Sequence, residues 1–313
     1  MQYYLIRRAS HSVFIVLGLM ALLFFMIHIL GDPVALQLPE DVDPKTIKEI
    51  QCRLGYCDPL HIQFVNFYWD VLRFDFGNSV RNGVPAMTLV AEKLPNTAFL
   101  AFVVWGIGMV GIPIGVIAAQ RPRSIFDRLV NLFTFAAISV PGFWLALMLI
   151  LIFAVWVRVL PTSGFAEFPW DTGWQSIKYL ILPAIALCPN VIARNAQITR
   201  ATMLDEMGKQ YVATARAKGL SERTVQYGHV MKNASIAIVT VMGDELALYM
   251  NGSTVVEVIF ASPGLGLLII NGINDRDLPV VTASIFVIVL IVLVINLLVD
   301  VVYTYLDPRI SYK

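Results

Sequence analysis

The chain has 313 residues, of which 58% are hydrophobic and 14% charged. That balance is too apolar for a water-soluble globule, and a net charge of +1 argues against a nucleic-acid partner. What remains is an all-α membrane protein, so the placement of its few charges carries the information.

Six apolar runs are long enough to cross a hydrocarbon core of about 30 Å as helices. They cover residues 13–30, 97–119, 129–157, 177–199, 234–260 and 280–303. A short basic lead with Arg7 and Arg8 precedes the first. That run is long and lacks an A-x-A-like site after it, so it is expected to stay as an anchor rather than be cleaved. Gly31-Asp32-Pro33 stops it. The mixed segment that follows, to residue 96, is expected outside. Its aromatics Phe64, Phe67, Tyr68, Trp69, Phe74 and Phe76 suit packing at a membrane interface. Cys52 and Cys57 lie close together there: a disulfide in an oxidising compartment, or two unpaired thiols. The chain thus divides at residue 96 into an N-terminal helix with its outer loop, and a five-helix core over residues 97–313.

Leu94-Pro95-Asn96-Thr97 is expected to open the second span, where Gly106, Gly108, Gly111 and Gly115 would let helices approach closely. Residues 121–128 form a short basic loop. The third span contains Ser139, Pro141 and Phe143 at an expected bend. Trp170 and Trp174 would anchor the loop after it. The fourth span carries Pro183 and Pro189, with Arg194 and Arg200 toward its far end, where long side chains reach water.

The longest polar interruption follows, at residues 211–233, and reads as two short helices. Ala213, Ala215 and Ala217 favour the first, expected over residues 204–218. Gly219 suits a left-handed C′ position, and Ser221 is placed to cap the second, with Leu220 and Val225 as a hydrophobic staple. Such a knuckle lets another protein approach its backbone. In the fifth span, Asp244 and Glu245 sit about 15 Å along the helix, close to mid-bilayer. Facing lipid would be expensive, so they should face a bundle interior or a watery cavity. Tyr249 and Asn251 follow on neighbouring turns. These acids either line a path that favours a positively charged substrate group or hydrogen-bond to a neighbouring helix.

Arg7, Arg8, Arg121, Arg123, Arg128, Arg200, Lys209, Arg216, Lys218, Arg223, Lys232, Arg309 and Lys313 fall on one side of this six-span arrangement. The positive-inside rule then puts both termini and the knuckle in the cytoplasm. There is no G-x-x-x-x-G-K-[ST] phosphate loop, zinc pattern or nucleophile elbow, so no enzyme activity, bound nucleotide or metal is expected of this chain.

Several motifs resemble one family. Residues 213–219, A-T-A-R-A-K-G, are similar to the EAA loop of ABC importer permeases, with Ala213 where the acidic residue is usual. The wider run 211–225 with H-V-M-K-N-A at 229–234 resembles the dipeptide/oligopeptide/nickel branch. V-V-E-V-I-F-A-S-P-G-L-G at 255–266, R-D-L-P-V-V at 276–281, F-D-F-G-N-S at 74–79 and L-D-P-R-I at 306–310 are similar to its other motifs. Together they cover essentially the whole chain.

The resemblance implies a type I ABC importer permease bundle in a bacterial inner membrane. It implies a second related permease, two ATP-binding subunits that hold ATP and magnesium, and an extracytoplasmic solute-binding protein. Coupling helices at about residues 201–233 would use Ala213, Ala215, Arg216, Lys218, Gly219, Ser221 and Glu222. The path would involve Ser139, Pro141, Phe143, Asp244, Glu245, Tyr249 and Asn251. Glu257, Pro263, Gly264, Gly266, Arg276 and Asp277 would form an outer gate or meet the binding protein. Peptides are the expected cargo; glutathione, a nickel complex or another small solute are the alternatives. An ion-coupled secondary transporter using the intramembrane acids, and a polytopic enzyme, are the readings from other classes.

Overall fold

The computed structural model describes residues 2–29, 43–53, 55–164, 174–251 and 254–306. Among them every extended element is helical, and one isolated bridge pairs Asn78 with Pro85. The first three helices are α1 (Gln2–Ile29), α2 (Pro44–Arg53) and α3 (Leu60–Leu72). Next come α4 (Ala86–Gly108), α5 (Gly111–Gln120), α6 (Ile125–Ser139) and α7 (Gly142–Leu149), the last running into a π-helical stretch, Ile150–Trp156. They are followed by α8 (Trp174–Met207), α9 (Gln210–Ala217), a π-helical turn (Thr224–Val230) and α10 (Met231–Met250). The chain ends in α11 (Thr254–Ile259), α12 (Leu265–Asn274) and α13 (Leu278–Leu306). Gly31-Asp32-Pro33, Trp170 and the motif from Asp307 onward lie outside the described residues.

Four stretches are long and apolar enough to span a membrane: Ser10–Ile29, Ala86–Gln120, Ile177–Met207 and Leu278–Leu306. A fifth counts if Ile125–Ser139 and Gly142–Trp156, which meet at 89°, are one span. The expected bend is therefore a sharp break, at Val140-Pro141, where α6 ends in extended backbone and Pro141 starts α7. The expected fifth span is divided into α10 and α11. Lys232, Asp244 and Glu245 keep α10 out of the apolar class. The second span starts earlier than expected, at Ala86, and runs through Pro95. The fourth continues past residue 199 to Met207.

At the centre lies α8, packed against α4, α5, α6, α7 and α10; α13 closes the other side of α10 and carries α1. In the middle of the seam between α8 and the α4–α5 rod, glycines leave the rod without side chains. A Cβ on Gly111 would stand 2.3 Å from the Ile192 carbonyl oxygen. One on Gly115 would stand 2.5 Å from that of Ala196, and one on Gly108 2.2 Å from Val191. Gly106 has open space around it and takes no part. This is the backbone-to-backbone approach that small residues permit between membrane helices.

The N-terminal layer is held by aromatics. Phe24 of α1 meets Phe64 edge-on at 5.2 Å, and the Tyr68 hydroxyl donates to the Leu17 carbonyl at 2.5 Å. Trp69 and Phe74 remain exposed. His28 bridges Phe24 O (2.8 Å) and Gln63 Oε1 (3.0 Å), a hydrogen-bonding role within the bundle. Cys52 and Cys57 are joined by a disulfide, while Cys188 is buried and free.

Replacing Gly111 by valine should force α5 off α8 and lower the melting temperature of the detergent-solubilised protein, with a cost of about 1–3 kcal/mol or more. Gly106→Ala should leave it unchanged, because nothing stands within 4 Å of that position.

Candidate functional site

At the arginine-rich end of the bundle, Gly208-Lys209 breaks the chain between α8 and α9, so the knuckle's first helix begins at Gln210 rather than residue 204. Its inner face plugs into a core. Val212 (0% exposed) and Ala215 pack with Val116 and Ala119 of α5, Met203 of α8, and Val225 and Val230. Ala215 therefore holds the helix in place, while Ala213, Thr214, Arg216 and Ala217 face outward. Lys218 ends the helix, and Gly219 adopts φ +78°, the left-handed conformation that L side chains resist.

Ser221 Oγ accepts the Thr224 N–H at 3.3 Å, an N-terminal cap. Leu220 stays 40% exposed while Val225 is fully buried, so the expected staple gives way to a one-sided anchor. The expected second short helix is not separate: its π-helical turn runs directly into α10. Arg216 clamps the knuckle through a two-pronged pair to Glu222, Nε to Oε1 at 2.7 Å and Nη2 to Oε2 at 3.3 Å. Lys218 and Gly219 are exposed at the tip.

Beneath the knuckle lies an ion pair that sequence reasoning missed. Asp127, 3% exposed, caps the neighbouring loop by accepting the Arg123 N–H at 2.8 Å. Its carboxylate also takes both prongs of Arg200, at 2.5 and 2.9 Å. Arg200 thus ends on a carboxylate rather than in water, and ties α6 to α8.

The opposite end holds a second construction. Glu257 is 1% exposed: Oε1 accepts the Thr97 hydroxyl at 2.8 Å, and Oε2 the Leu267 N–H at 3.1 Å. Thr97 Oγ1 in turn accepts the Leu265 N–H at 2.8 Å, and Asn96 Nδ2 donates to the Pro263 carbonyl at 2.9 Å. Gly264 and Gly266 leave room for the carboxylate: a Cβ on Gly264 would stand 2.4 Å from Glu257 Cδ. Glu257 pairs within this chain. Its carboxylate satisfies free N–H groups at the start of α12 and holds α12 to α4. Asp277, 3% exposed, is likewise internal: it accepts from Ser79 and from the Val280 N–H, at the start of α13. Arg276 is exposed, with φ +55°. Arg81 pairs with Asp275, fastening the loop before α4 to the same corner.

Between these ends, the two adjacent acids part company. Asp244 is exposed on the surface of this chain, whereas Glu245 is buried (1%) in the seam with α8. Leu248 and Asn251, one and two turns on, are exposed with Asp244, while Tyr249 lies partly buried beside Glu245. On α8, Arg194, expected to reach outward, is exposed, and so is Gln197, which sequence reasoning passed over. Ser139, Pro141 and Phe143 are exposed at the α6–α7 break. The structure thus gathers Asp244 and Asn251 on one stripe of α10 and leaves the 139–143 corner on other helices. Among the described residues no group of three or more His, Cys, Asp or Glu side chains is placed to hold a metal ion.

These features define a multi-pass helical membrane protein with a rigid knuckle at one end and a hydrogen-bonded clasp at the other. The family model described as "Binding-protein-dependent transport system inner membrane component" matches residues 111–312, and its N-terminal counterpart residues 1–101. The chain belongs to that family of ABC transporter permeases and is a multi-pass protein of the cytoplasmic membrane. It is 37% identical over 311 residues to a putative peptide transport system permease protein of Brucella abortus, covering 98% of each chain. It is 35% identical to the oligopeptide transport system permease protein AppB of Bacillus subtilis, and 35% to the glutathione transport system permease protein GsiC of Salmonella typhimurium, with 99% of each chain covered in both cases. In fold it is similar to a chain of the MetNI methionine ABC transporter in inward-facing conformations, at TM-score 0.54 and 18% identity, over 71% of this chain and 97% of that one.

Thr97→Val removes both halves of the clasp's central hydroxyl. It should destabilise the protein by about 1–3 kcal/mol, read as a lowered melting temperature. Arg276→Ala, at an exposed neighbouring turn, should leave that temperature unchanged.

Proposed function

We infer that this chain forms half of the translocation pathway of an ATP-driven peptide importer. Its knuckle is the joint through which partner ATPases drive it. The observation that carries this is the build of residues 210–225: Val212, Ala215 and Val225 lock it to α5 and α8, while Ala213, Thr214, Ala217 and Gly219 lie bare. A helix rooted so firmly and yet left open on its outer face suits transmission of force from a docked subunit. The peptide cargo is supported by the names of the Brucella and Bacillus relatives.

In this reading six spans put both termini and the knuckle in the cytoplasm, with α10 as the span whose Asp244 lines the route. ATP and magnesium belong to two partner subunits. A second, related permease completes the path, and an extracytoplasmic solute-binding protein delivers peptide near the clasp. Closing of the ATPases swings the bundles as rigid bodies between inward- and outward-facing arrangements. Asp244 belongs on the water-lined face, because an exposed carboxylate at mid-bilayer is too costly against lipid. There it would attract the ammonium end of a peptide. The ion-coupled alternative loses its basis with membership of the ABC family.

Two substitutions test this in the assembled transporter. Ala213→Trp, on an exposed helical position, should leave the permease folded yet release the ATPase on purification and cut ATP-dependent uptake at least about tenfold, a loss of ~1.4 kcal/mol or more in docking. Full uptake with the ATPase retained would refute the docking role. Asp244→Asn should raise the half-saturating concentration for dipeptides with a free amino terminus more than for N-acetylated ones. An equal effect on both would remove Asp244 from recognition of the amine.

A further inference from the structure

Five carboxylates are buried among the described residues of the bundle, and four have donors: Asp127 from Arg200, Glu257 from Thr97 and Leu267, Asp277 from Ser79, and Asp300 from Arg8. Glu245 is the exception. It is 1% exposed and neither of its oxygens receives a hydrogen bond.

Its neighbour across the α8–α10 seam is Asn195, 2% exposed; the amide lies near enough to act on the carboxyl group, but the geometry closes no hydrogen bond between them. The orientation of that amide is dictated by the break in the α4–α5 rod. The Ile112 N–H turns to the Met109 carbonyl at 3.0 Å, and Asn195 Nδ2 donates to the Gly108 carbonyl at 3.1 Å. Turning the amide over would set its oxygen against that carbonyl. Asn195 Oδ1 is therefore left as a buried acceptor without a donor, next to a carboxyl group that also lacks one. An ionised carboxylate deprived of donors in a buried seam is far costlier than the neutral acid, and a neighbouring acceptor without a donor adds to that cost.

The ionisable groups that act on Glu245 are Arg194 of α8 and Asp244 and Tyr249 of its own helix. Arg194 is exposed and donates no hydrogen bond to it. Asp244 carries the same sign of charge. The facing lengths of α4 (residues 97–108) and α13 (residues 280–299) contain no ionisable side chain. Tyr227 and His229 stand near the start of α10, about four turns away.

We propose that Glu245 is a proton-binding site in the membrane interior, its carboxyl group neutral and donating a hydrogen bond to Asn195 Oδ1. The proton is taken from hydronium, leaving water, and is returned to water when the seam between α8 and α10 opens. The single proton supplies the missing donor for both side chains at once. This goes beyond the transport reading, since it holds whatever solute is carried.

Infrared spectroscopy of the assembled transporter in lipid nanodiscs tests it. At neutral pH the wild-type protein should show a protonated-carboxyl C=O band that shifts in D2O. The band should vanish in Glu245→Gln, persist in Asp244→Asn and move in frequency in Asn195→Ala. Absence of the band from the wild type, or its survival in Glu245→Gln, overturns the proposal; a band unmoved in Asn195→Ala overturns the pairing. Should Glu245→Gln fail to fold, the band must still be present in wild type, and must still move in Asn195→Ala, for the proposal to stand.

Discussion

The contact on which the rest of the molecule depends is the meeting of two backbones, where Gly108, Gly111 and Gly115 leave the α4–α5 rod bare against α8. At Gly111 and Gly115 the rod comes directly against the carbonyls of Ile192 and Ala196, so the two backbones share one surface there. Its position fixes much else. The rod breaks at Met109 and Val110, and the carbonyl so released is taken by Asn195. Below it, the far end of α5 supplies Val116 and Ala119 to the floor on which the knuckle rests. Any widening of this seam would reach the knuckle through that floor.

Apart from Glu245, Asn195 and Thr199, buried polar side chains such as Asp127, Glu257 and Asp277 are matched at close range. Arg200 and Asp127 satisfy each other, Glu257 occupies the bare start of α12, and Asp277 does the same for α13. Such pairs do little for net stability compared with apolar packing, yet breaking one partner is costly. Their effect is to fix the corners of the bundle, so that α11, α12 and the outer loop meet in one geometry.

How much of this was legible in the sequence depends on the kind of signal. The glycine at position 219, the cap at Ser221 and the bend at Pro141 were visible because backbone geometry restricts residue type directly. The apolar runs gave most of the spans, but not where they start: a helix tolerates Pro95 when neighbours restrain it, so that proline misled. The fifth span was harder, because Asp244 and Glu245 pull against the hydropathy that defines a span. For Glu257 the sequence left a partner contact and a local pair open, because a charge near the membrane boundary suits either. Only the positions of Thr97 and Gly264 reveal it as an internal strut, and Thr97 lies 160 residues away in the chain. Asn195 and the Arg200–Asp127 pair left no local mark, since their meaning arises from helices that are distant in sequence.

The disulfide between Cys52 and Cys57 has a consequence of its own. Thiols couple only where an oxidant reaches them, and the cytoplasm keeps them reduced. In the proposed topology the segment lies on the extracytoplasmic face, where that bond can form, so its state would report how the chain is threaded. A polypeptide threaded the wrong way round would carry two alkylatable sulfhydryls instead, so its topology could be scored on a gel without any knowledge of what the molecule transports.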